Sequence, residues 1–369
     1  MKVLHLIENI RFGGANRGVF TSAKHSKRLY GHEHTIIPMR SDDLAATDNG
    51  IAMAHANGMR TVVWPDKADY HKEVEQADVV LVQWWGSTCM LGLRYKNMMP
   101  CRLATLYHVA GTKDADANMN IITPIEPAWP DINVAVSMHT YDKVFADLPD
   151  ERKAFVLAGG GGDFERFTHG RDPIPHGGFR VGLSCSLSFD KLYREWVHMS
   201  IAARTPATFR SCGIGRHEKA IKQEVSELAP GRFVFRGLLE DNDYGDEIRT
   251  WDVVGYPTVR DAAPVGLMDA MWFGVPPIVF AHTAPARMVV DGETGLLVHS
   301  DKEYIAALEY LYHRPDKRAE MSENAREYAG QHFGAENNAS AFEELLQRLI
   351  VLPKRRHYSK TQMREEGIS

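Results

Sequence analysis

The sequence contains little cysteine and no long apolar run. Its four cysteines (Cys89, Cys101, Cys185 and Cys212) include no Cys-x-x-Cys pair, which argues against a zinc site or a disulfide framework and fits a reducing compartment. No run of about 18 apolar residues is present, so no transmembrane helix is predicted. The N-terminus also lacks the length and the small-residue cleavage pattern of a signal peptide. The expected location is therefore cytoplasmic.

The sequence also lacks an excess of positive charge. Its 43 lysines and arginines are outnumbered by 48 aspartates and glutamates, which gives a formal net charge of −5. A protein that wraps nucleic acid without sequence preference needs a basic surface, so no nucleic-acid partner is expected. The hydrophobic share of 44% is enough to build packed cores. Since domains usually hold about 100–200 residues, two domains are expected.

Short β-branched runs alternate with helical stretches along most of the chain. Runs of this length that are separated by helices are typical of parallel strands buried in an α/β sheet. Helices are predicted at 15–29, 304–313, 317–332 and 336–349. Strands are predicted at 3–7, 34–38, 60–63, 79–83, 103–107 and 133–137, and in a second series at 179–183, 207–211, 232–235, 251–255 and 277–280.

A glycine run at 159–162 interrupts this alternation. Four consecutive glycines cannot form the interior of a strand or helix without a large entropic cost, so they mark a turn or a hinge. We predict an α/β chain with a Rossmann-like domain at 1–160, a second one at 176–335 and a C-terminal helix with a basic tail at 336–369. The two domains are expected to face each other across a cleft, with ligands beyond the carboxyl ends of the strands.

The first glycine-rich loop, Gly13 and Gly14, lies between a predicted strand and a predicted helix. Glycines there allow backbone N–H groups to approach a phosphate at the helix N-terminus, where the helix dipole favours negative charge. The spacing is not Gly-x-Gly-x-x-Gly. A tight turn and a phosphate site therefore explain it about equally well.

Two acidic residues, Asp261 and Asp269, follow a predicted strand that ends near Tyr256. Pro264 suits the first turn of a helix, and the Gly274 to Pro276 stretch suits the end of that helix. Two carboxylates placed in this way can accept hydrogen bonds from neighbouring hydroxyls of one polyol ligand. The alternatives are that Asp261 caps the helix and that Asp269 is a solvated helix position, although Met268, Ala270 and Met271 favour burial there.

Four segments of the chain resemble, in order, those of retaining GT-B glycosyltransferases, glycosyltransferase family 4. They are the opening strand and glycine loop (2–15), the interdomain signature (161–167), the paired-acid segment (261–276) and the stretch from Asp291 to Val298. The last of these is the most specific and the first is the least. The resemblance implies the GT-B fold and the transfer of a sugar from a nucleotide diphosphate with retention of its anomeric configuration.

The resemblance also implies roles for particular residues. His108 matches the histidine near the transferred sugar and Asp261 matches the first acid, which contacts the donor sugar; these two are the candidate catalytic residues. Asp269 matches the acid that holds the ribose hydroxyls, and Lys191 matches the basic residue on the diphosphate. The remaining candidate donor-binding residues are Gly13, Gly14, Gly213, Gly215, Arg260, Val265 and Gly266. The alternatives are a loop or core histidine for His108 and a surface lysine for Lys191.

The chain departs from the family pattern at three points. Both acid positions carry aspartate where the family usually has glutamate, and a displacement of about 1 Å in a reacting site can cost roughly 100-fold in rate. Ser186 stands where the family usually has an arginine beside the lysine, so a bidentate guanidinium is missing there. Arg260 and Arg287 are the candidate replacements. Pro264 lies in a loop that usually supplies backbone N–H donors.

The expected function is transfer of a hexosyl unit from a UDP- or GDP-sugar to a glycan, lipid-linked or small-molecule acceptor. No cofactor is expected besides the nucleotide-sugar co-substrate, and no metal, although Asp114-Ala115-Asp116 keeps a metal-dependent reaction open. One alternative is a catalytically weak sugar-nucleotide-binding protein or partner subunit. A distant one is an NAD(P)-dependent oxidoreductase, based on Gly13, Gly14, Gly18 and Glu33.

The C-terminal tail is basic, with Lys354, Arg355, Arg356, Lys360 and Arg364. Two interpretations are open. The tail is either solvated, or it contacts an acidic acceptor or the anionic inner face of a membrane as a peripheral protein does.

Overall fold

The computed structural model describes residues 1–10, 13–38, 44–63, 65–84, 100–108, 130–189, 191–239 and 241–356. The chain forms two compact units, one made of Met1–Gly161 with Ala335–Ser369 and the other of Gly162–Gly334. The predicted C-terminal segment thus belongs to the same unit as the N-terminal residues. The Asp114-Ala115-Asp116 sequence and the tail residues Lys360 and Arg364 lie outside the described residues.

The first unit contains a seven-stranded sheet with the strand order β3-β2-β1-β4-β5-β6-β7. All of its neighbouring strands are parallel. The strands are β1 (Lys2–Ile7), β2 (Glu33–Pro38), β3 (Arg60–Thr61), β4 (Val79–Trp84), β5 (Leu103–Tyr107), β6 (Ile132–Ala135) and β7 (Lys153–Phe155). The described α-helices of this unit are α1 (Gly14–Tyr30), α2 (Leu44–Ala56), α3 (Lys67–Gln76) and, last in the chain, α10 (Ala335–Ile350).

The second unit contains a six-stranded parallel sheet with the order β10-β9-β8-β11-β12-β13. Its strands are β8 (Phe179–Ser184), β9 (Ala207–Cys212), β10 (Phe233–Gly237), β11 (Val253–Tyr256), β12 (Pro277–Phe280) and β13 (Leu296–Val298). Its described α-helices are α4 (Trp196–Ala202), α5 (Glu218–Leu228), α6 (Asp241–Ile248), α7 (Val265–Trp272), α8 (Asp301–His313) and α9 (Pro315–His332).

The predicted α/β class is confirmed, and the reason is visible in the burial of the strands. All residues of β5, β6, β11 and β12 are buried, as expected when helices cover both faces of a parallel sheet. In each sheet the strand order reverses beside the first strand of the unit, between β1 and β4 and between β8 and β11. Such a switch point opens a crevice at the carboxyl ends of the strands, which is where ligands bind in doubly wound folds.

The glycine run at 159–162 forms a turn that packs tightly on α1. Three of its glycines have positive φ angles, and Ala158 before them also has φ 49°. A Cβ atom added at Gly160 would lie 2.8 Å from the Cβ of Ser22 and 2.9 Å from the carbonyl oxygen of Gly18. Both the backbone conformation and the close approach of the helix therefore require glycine at this position.

Part of the basic tail is tied to the first unit. Lys354 donates from Nζ to the carbonyl oxygens of Glu75 (3.2 Å) and Ala77 (2.8 Å), at the C-terminal end of α3, where the helix dipole favours a cation. Arg355 pairs through Nε with Oδ1 of the buried Asp131 at 2.5 Å. Both side chains stay partly exposed, so these contacts anchor the start of the tail to the first unit, and both interpretations of the tail remain predictions. Of the helices that the structure describes, none is long and apolar enough to span a membrane.

Two fully buried histidines lie side by side on the first sheet. His5 on β1 and His34 on β2 share a hydrogen bond of 2.9 Å between Nε2 and Nδ1. Burial lowers the pKa of His5 to about 3. It also lowers the pKa of His34, and electrostatic interactions with His5, His32, the N-terminus and Lys27 lower it further. Both rings are therefore neutral in the folded protein at neutral pH.

This neutral pair makes stability depend on pH. In the unfolded chain each ring binds a proton near pH 6.5, whereas the folded protein does not, so the unfolded state gains protons as the pH falls. We expect the free energy of unfolding to fall below pH 6.5 by up to about 1.4 kcal/mol per pH unit for each ring. The double variant His5→Leu/His34→Leu should flatten this slope between pH 6.5 and 5, as measured by urea unfolding.

The exposed His55 provides the control. His55→Leu should keep the slope of the unchanged protein. If the double variant also kept it, the two rings would not be the neutral buried groups that the structure shows.

Candidate functional site

The loops that follow β8 and β11 meet at the switch point of the second sheet. Two backbone hydrogen bonds join them, from Val259 N to Lys191 O (2.8 Å) and from Tyr193 N to Pro257 O (2.9 Å). They place Lys191 Nζ 3.1 Å from Asp261 Oδ1. The lysine side chain is 29% exposed and the aspartate 10%. A partly exposed cation thus lies next to an acid at the edge where a doubly wound fold binds its ligand.

Tyr256, the last residue of β11, holds the other oxygen of this carboxylate. Its Oη donates to Asp261 Oδ2 at 3.1 Å. Burial, and then the negative charge of Asp261, raise the pKa of Tyr256 well above its usual value. The phenol therefore stays protonated and acts as a constant donor. As a result Asp261 is oriented from both sides and does not cap α7, whose N-cap residue is Pro264.

Asp269, one turn inside α7, is buried and paired. Its Oδ2 accepts a hydrogen bond from Arg166 Nη2 at 2.6 Å, and the two side chains are only 2% and 8% exposed. The Arg166 guanidinium also lies over the Phe167 ring, 4.2 Å from its centroid. The alternative of a solvated helix position is therefore wrong for Asp269. A buried carboxylate of this kind needs a charged partner, and Arg166 provides it.

Three candidate glycines pack against the turn after β8. Gly213 has φ 132°, and a Cβ there would overlap the carbonyl oxygen of Cys185. A Cβ at Gly215 would overlap the carbonyl oxygen of Leu187. One at Gly266 would lie 2.6 Å from Ser184 Oγ and 2.7 Å from Ser184 O. Their absent side chains let β9 and α7 approach β8 closely, so the structure places all three at the edge that holds Lys191.

The other candidates of this unit lie around the same edge. Val265 is the buried first residue of α7, and Arg260 is half-buried in the loop next to Asp261. Ser186 donates from Oγ to the carbonyl oxygen of Ile214 at 3.3 Å. Arg287 is exposed in the short 3-10 helix Ala284–Met288.

The segment with the most specific resemblance, from Asp291 to Val298, forms a turn that leads into β13. Asp291 Oδ1 accepts a hydrogen bond from Leu297 N at 2.8 Å, and Thr294 Oγ1 accepts one from Val290 N at 2.9 Å. Both side chains satisfy backbone donors of the turn itself. These contacts assign the segment a structural role in ending the sheet.

The remaining candidates, Gly13, Gly14 and His108, belong to the first unit. Gly13 is the N-cap residue of α1, with extended backbone (φ 165°), and an added Cβ would meet nothing within 4 Å. Its conformation therefore does not itself require glycine. His108 follows β5, and its Nε2 donates to Gln83 Oε1 at 2.7 Å, since an amide oxygen only accepts. Its side chain is half-buried.

Sequence reasoning did not find three residues that hold the candidates in place: Tyr256, Arg166 and Gln83. Arg166 lies within the resembling segment 161–167, which was the one available signal for it. Tyr256 and Gln83 each lie in the last two residues of a buried strand, where a polar side chain among apolar ones is a weak signal of a site. Their partners follow other strands and could not be read from the sequence.

Comparison with known proteins identifies the segment that holds most of these residues. A family model described as Glycosyl transferases group 1 matches residues 191–328. A trehalose synthase of Pyrococcus horikoshii is 33% identical over 85 residues, which cover 23% of this chain and 20% of that protein. A D-inositol 3-phosphate glycosyltransferase of Stackebrandtia nassauensis is 27% identical over 124 residues, which cover 32% of this chain and 28% of that protein. The matches thus span under a third of either curated relative.

A solved structure matches over nearly the whole chain. HepE of Anabaena, in complex with UDP-glucose, has a TM-score of 0.78 and 16% identity, over 95% of this chain and 100% of that chain. At this identity the likeness establishes the fold. The chain therefore has the GT-B fold, with two parallel-sheet α/β domains, and residues 191–328 carry a Glycosyl transferases group 1 domain.

Proposed function

We propose that the protein is a glycosyltransferase that moves a hexosyl unit from a UDP- or GDP-sugar to a glycan, lipid-linked or small-molecule acceptor. The reaction proceeds with retention of configuration and without a metal. The observation that carries the proposal is the Lys191–Asp261 pair at the switch point between β8 and β11, within the segment that the family model matches. The UDP-glucose bound to HepE supports a uridine nucleotide as the first donor to test.

In the proposed reaction, Lys191 and Asp261 act on the two halves of the donor. Negative charge builds on the departing diphosphate as the sugar becomes oxocarbenium-like. A lysine that is already fixed beside the site stabilises that charge without reorganisation during the reaction. Asp261, oriented by Tyr256, accepts hydrogen bonds from the sugar hydroxyls and positions the ring.

The other candidates complete the donor site in this proposal. Asp269 holds the ribose hydroxyls, and Arg166 orients its carboxylate; a carboxylate has about four lone-pair directions, so one ion pair does not exhaust its acceptor capacity. The helix N-terminus at Gly13 and Gly14 adds N–H donors for the diphosphate. His108 contacts the transferred sugar.

Donor binding is tested by thermal unfolding with UDP, GDP, ADP, TDP, NAD and NADP, followed by the matching sugar nucleotides. A ligand at 100 times its Kd stabilises the folded protein by about 2.7 kcal/mol. We expect a shift with UDP or GDP. Lys191→Ala should weaken that binding by about 10- to 100-fold, because a hydrogen bond to a charged group contributes about 1.5–3 kcal/mol.

The control is Lys222→Ala, which removes an exposed lysine that pairs with Glu218 on the same helix. It should leave the nucleotide shift unchanged. A shift with NAD or NADP alone would replace the proposal with the oxidoreductase alternative, and equal losses in both lysine variants would remove Lys191 from the site.

Turnover is tested with the sugar nucleotide that produces the shift, by following release of the nucleoside diphosphate. Asp261→Asn should lower kcat by roughly 100-fold, because the neutral amide no longer holds the sugar in register. The exposed Asp243 provides the control, and Asp243→Asn should keep the original rate. Turnover should persist in excess chelator.

The remaining outcomes of these two tests would favour an alternative or contradict part of the proposal. Nucleotide binding without turnover in the unchanged protein would support the catalytically weak binding protein. Loss of turnover in chelator, restored by added Mg²⁺ or Mn²⁺, would contradict the metal-independent reaction. A near-normal kcat in Asp261→Asn would count against the assignment of Asp261.

A further inference from the structure

Four polar side chains form a continuous hydrogen-bonded row across the first sheet. His34 on β2 bonds His5 on β1 (2.9 Å), His5 Nδ1 bonds Gln83 Nε2 on β4 (3.3 Å), and Gln83 Oε1 bonds His108 Nε2 after β5 (2.7 Å). Strands β2, β1, β4 and β5 are neighbours in that order. The row therefore crosses the switch point between β1 and β4 and ends at the carboxyl edge of the sheet, after β5.

The buried end of the row has a fixed proton count. His5 and His34 are neutral in the folded protein, since burial lowers the pKa of both. A neutral imidazole has one donor and one acceptor nitrogen. Each ring must therefore donate in one direction only, and the direction of each hydrogen bond determines that of the next.

Gln83 transmits this direction to His108. A glutamine amide has a donor end and an acceptor end, and turning it over would reverse both bonds. The shorter contact, 2.7 Å to His108, lies at the short end of the range for N–H···O bonds. Two nitrogens need more room than that, so the amide oxygen faces His108 and the amide nitrogen faces His5.

We propose that Gln83 is a positioning residue that holds the His108 proton on Nε2, and that the buried His5–His34 pair holds Gln83 in the orientation this requires. In the neutral form of the His108 ring, the lone pair then lies on Nδ1. His5 accepts from Gln83 at Nδ1 and donates from Nε2 to His34.

The consequence for chemistry rests on the proposed function. If His108 contacts the transferred sugar, a ring with its lone pair on Nδ1 accepts a hydrogen bond from a sugar hydroxyl there. The wrong tautomer would turn that acceptor into a donor. Which nitrogen carries the proton is set by the bond that the other nitrogen makes, so Gln83 acts on the sugar through His108.

The tautomer is measured directly by long-range ¹H–¹⁵N correlation on protein labelled with ¹⁵N-histidine, at pH 8 and without any nucleotide. The His108 signals are assigned from their loss in His108→Gln. We expect His108 to have its proton on Nε2. A proton on Nδ1 would overturn the proposal. This measurement is made on the unchanged protein and needs no variant of Gln83.

Variants of Gln83 test the cause. Gln83→Met removes the amide's hydrogen bonds to His5 and His108 while keeping the side chain long and unbranched, and His108 should then populate both tautomers. Gln83→Glu keeps an oxygen acceptor toward His108 and should restore the proton to Nε2. A single Nε2–H tautomer in Gln83→Met would show that Gln83 is not the determinant.

Asn133 on β6 supplies the matched control. It is a buried amide that accepts a hydrogen bond from Tyr107, the residue before His108. Asn133→Leu should leave the His108 tautomer unchanged, and a shift to mixed tautomers there would indicate general loosening of the sheet. Because these spectra are recorded without a donor, they stand apart from the nucleotide panel. Failure of the proposed function and failure of this inference are therefore separate results.

Discussion

The parallel pairing of β8 with β11 is the constraint on which the candidate site depends. The two strands are distant in sequence, yet their pairing puts the loops that follow them side by side. Backbone hydrogen bonds then join those loops, and the Lys191–Asp261 ion pair forms across them. The glycines at 213, 215 and 266 serve the same arrangement, since a side chain at any of them would push β9 or α7 away from β8. The site is thus a product of sheet order and close packing together.

The first unit also has a reversal of strand order, and a row of hydrogen-bonded polar side chains lies across it in place of an ion pair. Its sheet reverses between β1 and β4, and the polar row from His34 to His108 crosses that reversal. Buried polar groups cost free energy unless they are hydrogen-bonded. Within the row each member bonds its neighbour, and His34 Nε2 at its end is buried without a partner among the described residues. The row therefore couples the deepest part of the first sheet to the half-buried ring at its edge.

The elements with short β-branched runs or helical periodicity were predictable from the sequence. They include most strands of both sheets and the three C-terminal helices. Two short strands were missed: β7 and β13 have three residues each, too few to show a pattern. The contacts of the basic tail were also not predictable, because its partners are distant in sequence. Asp131 and the end of α3 are brought to Lys354 and Arg355 by the fold.

In the candidate site, too, the residue types were predictable from the sequence and their contact partners were not. Lys191, Asp261 and Asp269 were identified by resemblance, and their positions in loop and helix follow from strand ends and the glycine and proline signals. Their partners were not predictable, because Arg166 and Tyr256 reach them through tertiary contacts. A residue type can be recognised along the chain, whereas its protonation and orientation depend on what the fold places beside it.

The effect of having aspartate at the two acid positions depends on those partners. An aspartate is one methylene shorter than a glutamate, so its carboxylate lies closer to its own backbone and needs neighbours that approach it. At Asp261 those neighbours are Lys191 and Tyr256, and the carboxylate stays partly exposed. At Asp269 the neighbour is Arg166, and the pair is almost completely buried. Removing one member of a buried pair leaves an uncompensated charge, which costs more than the pair contributes. Replacing Asp269 should therefore destabilise its unit more than replacing Asp261, so a variant of Asp261 is the cleaner test of the proposed reaction.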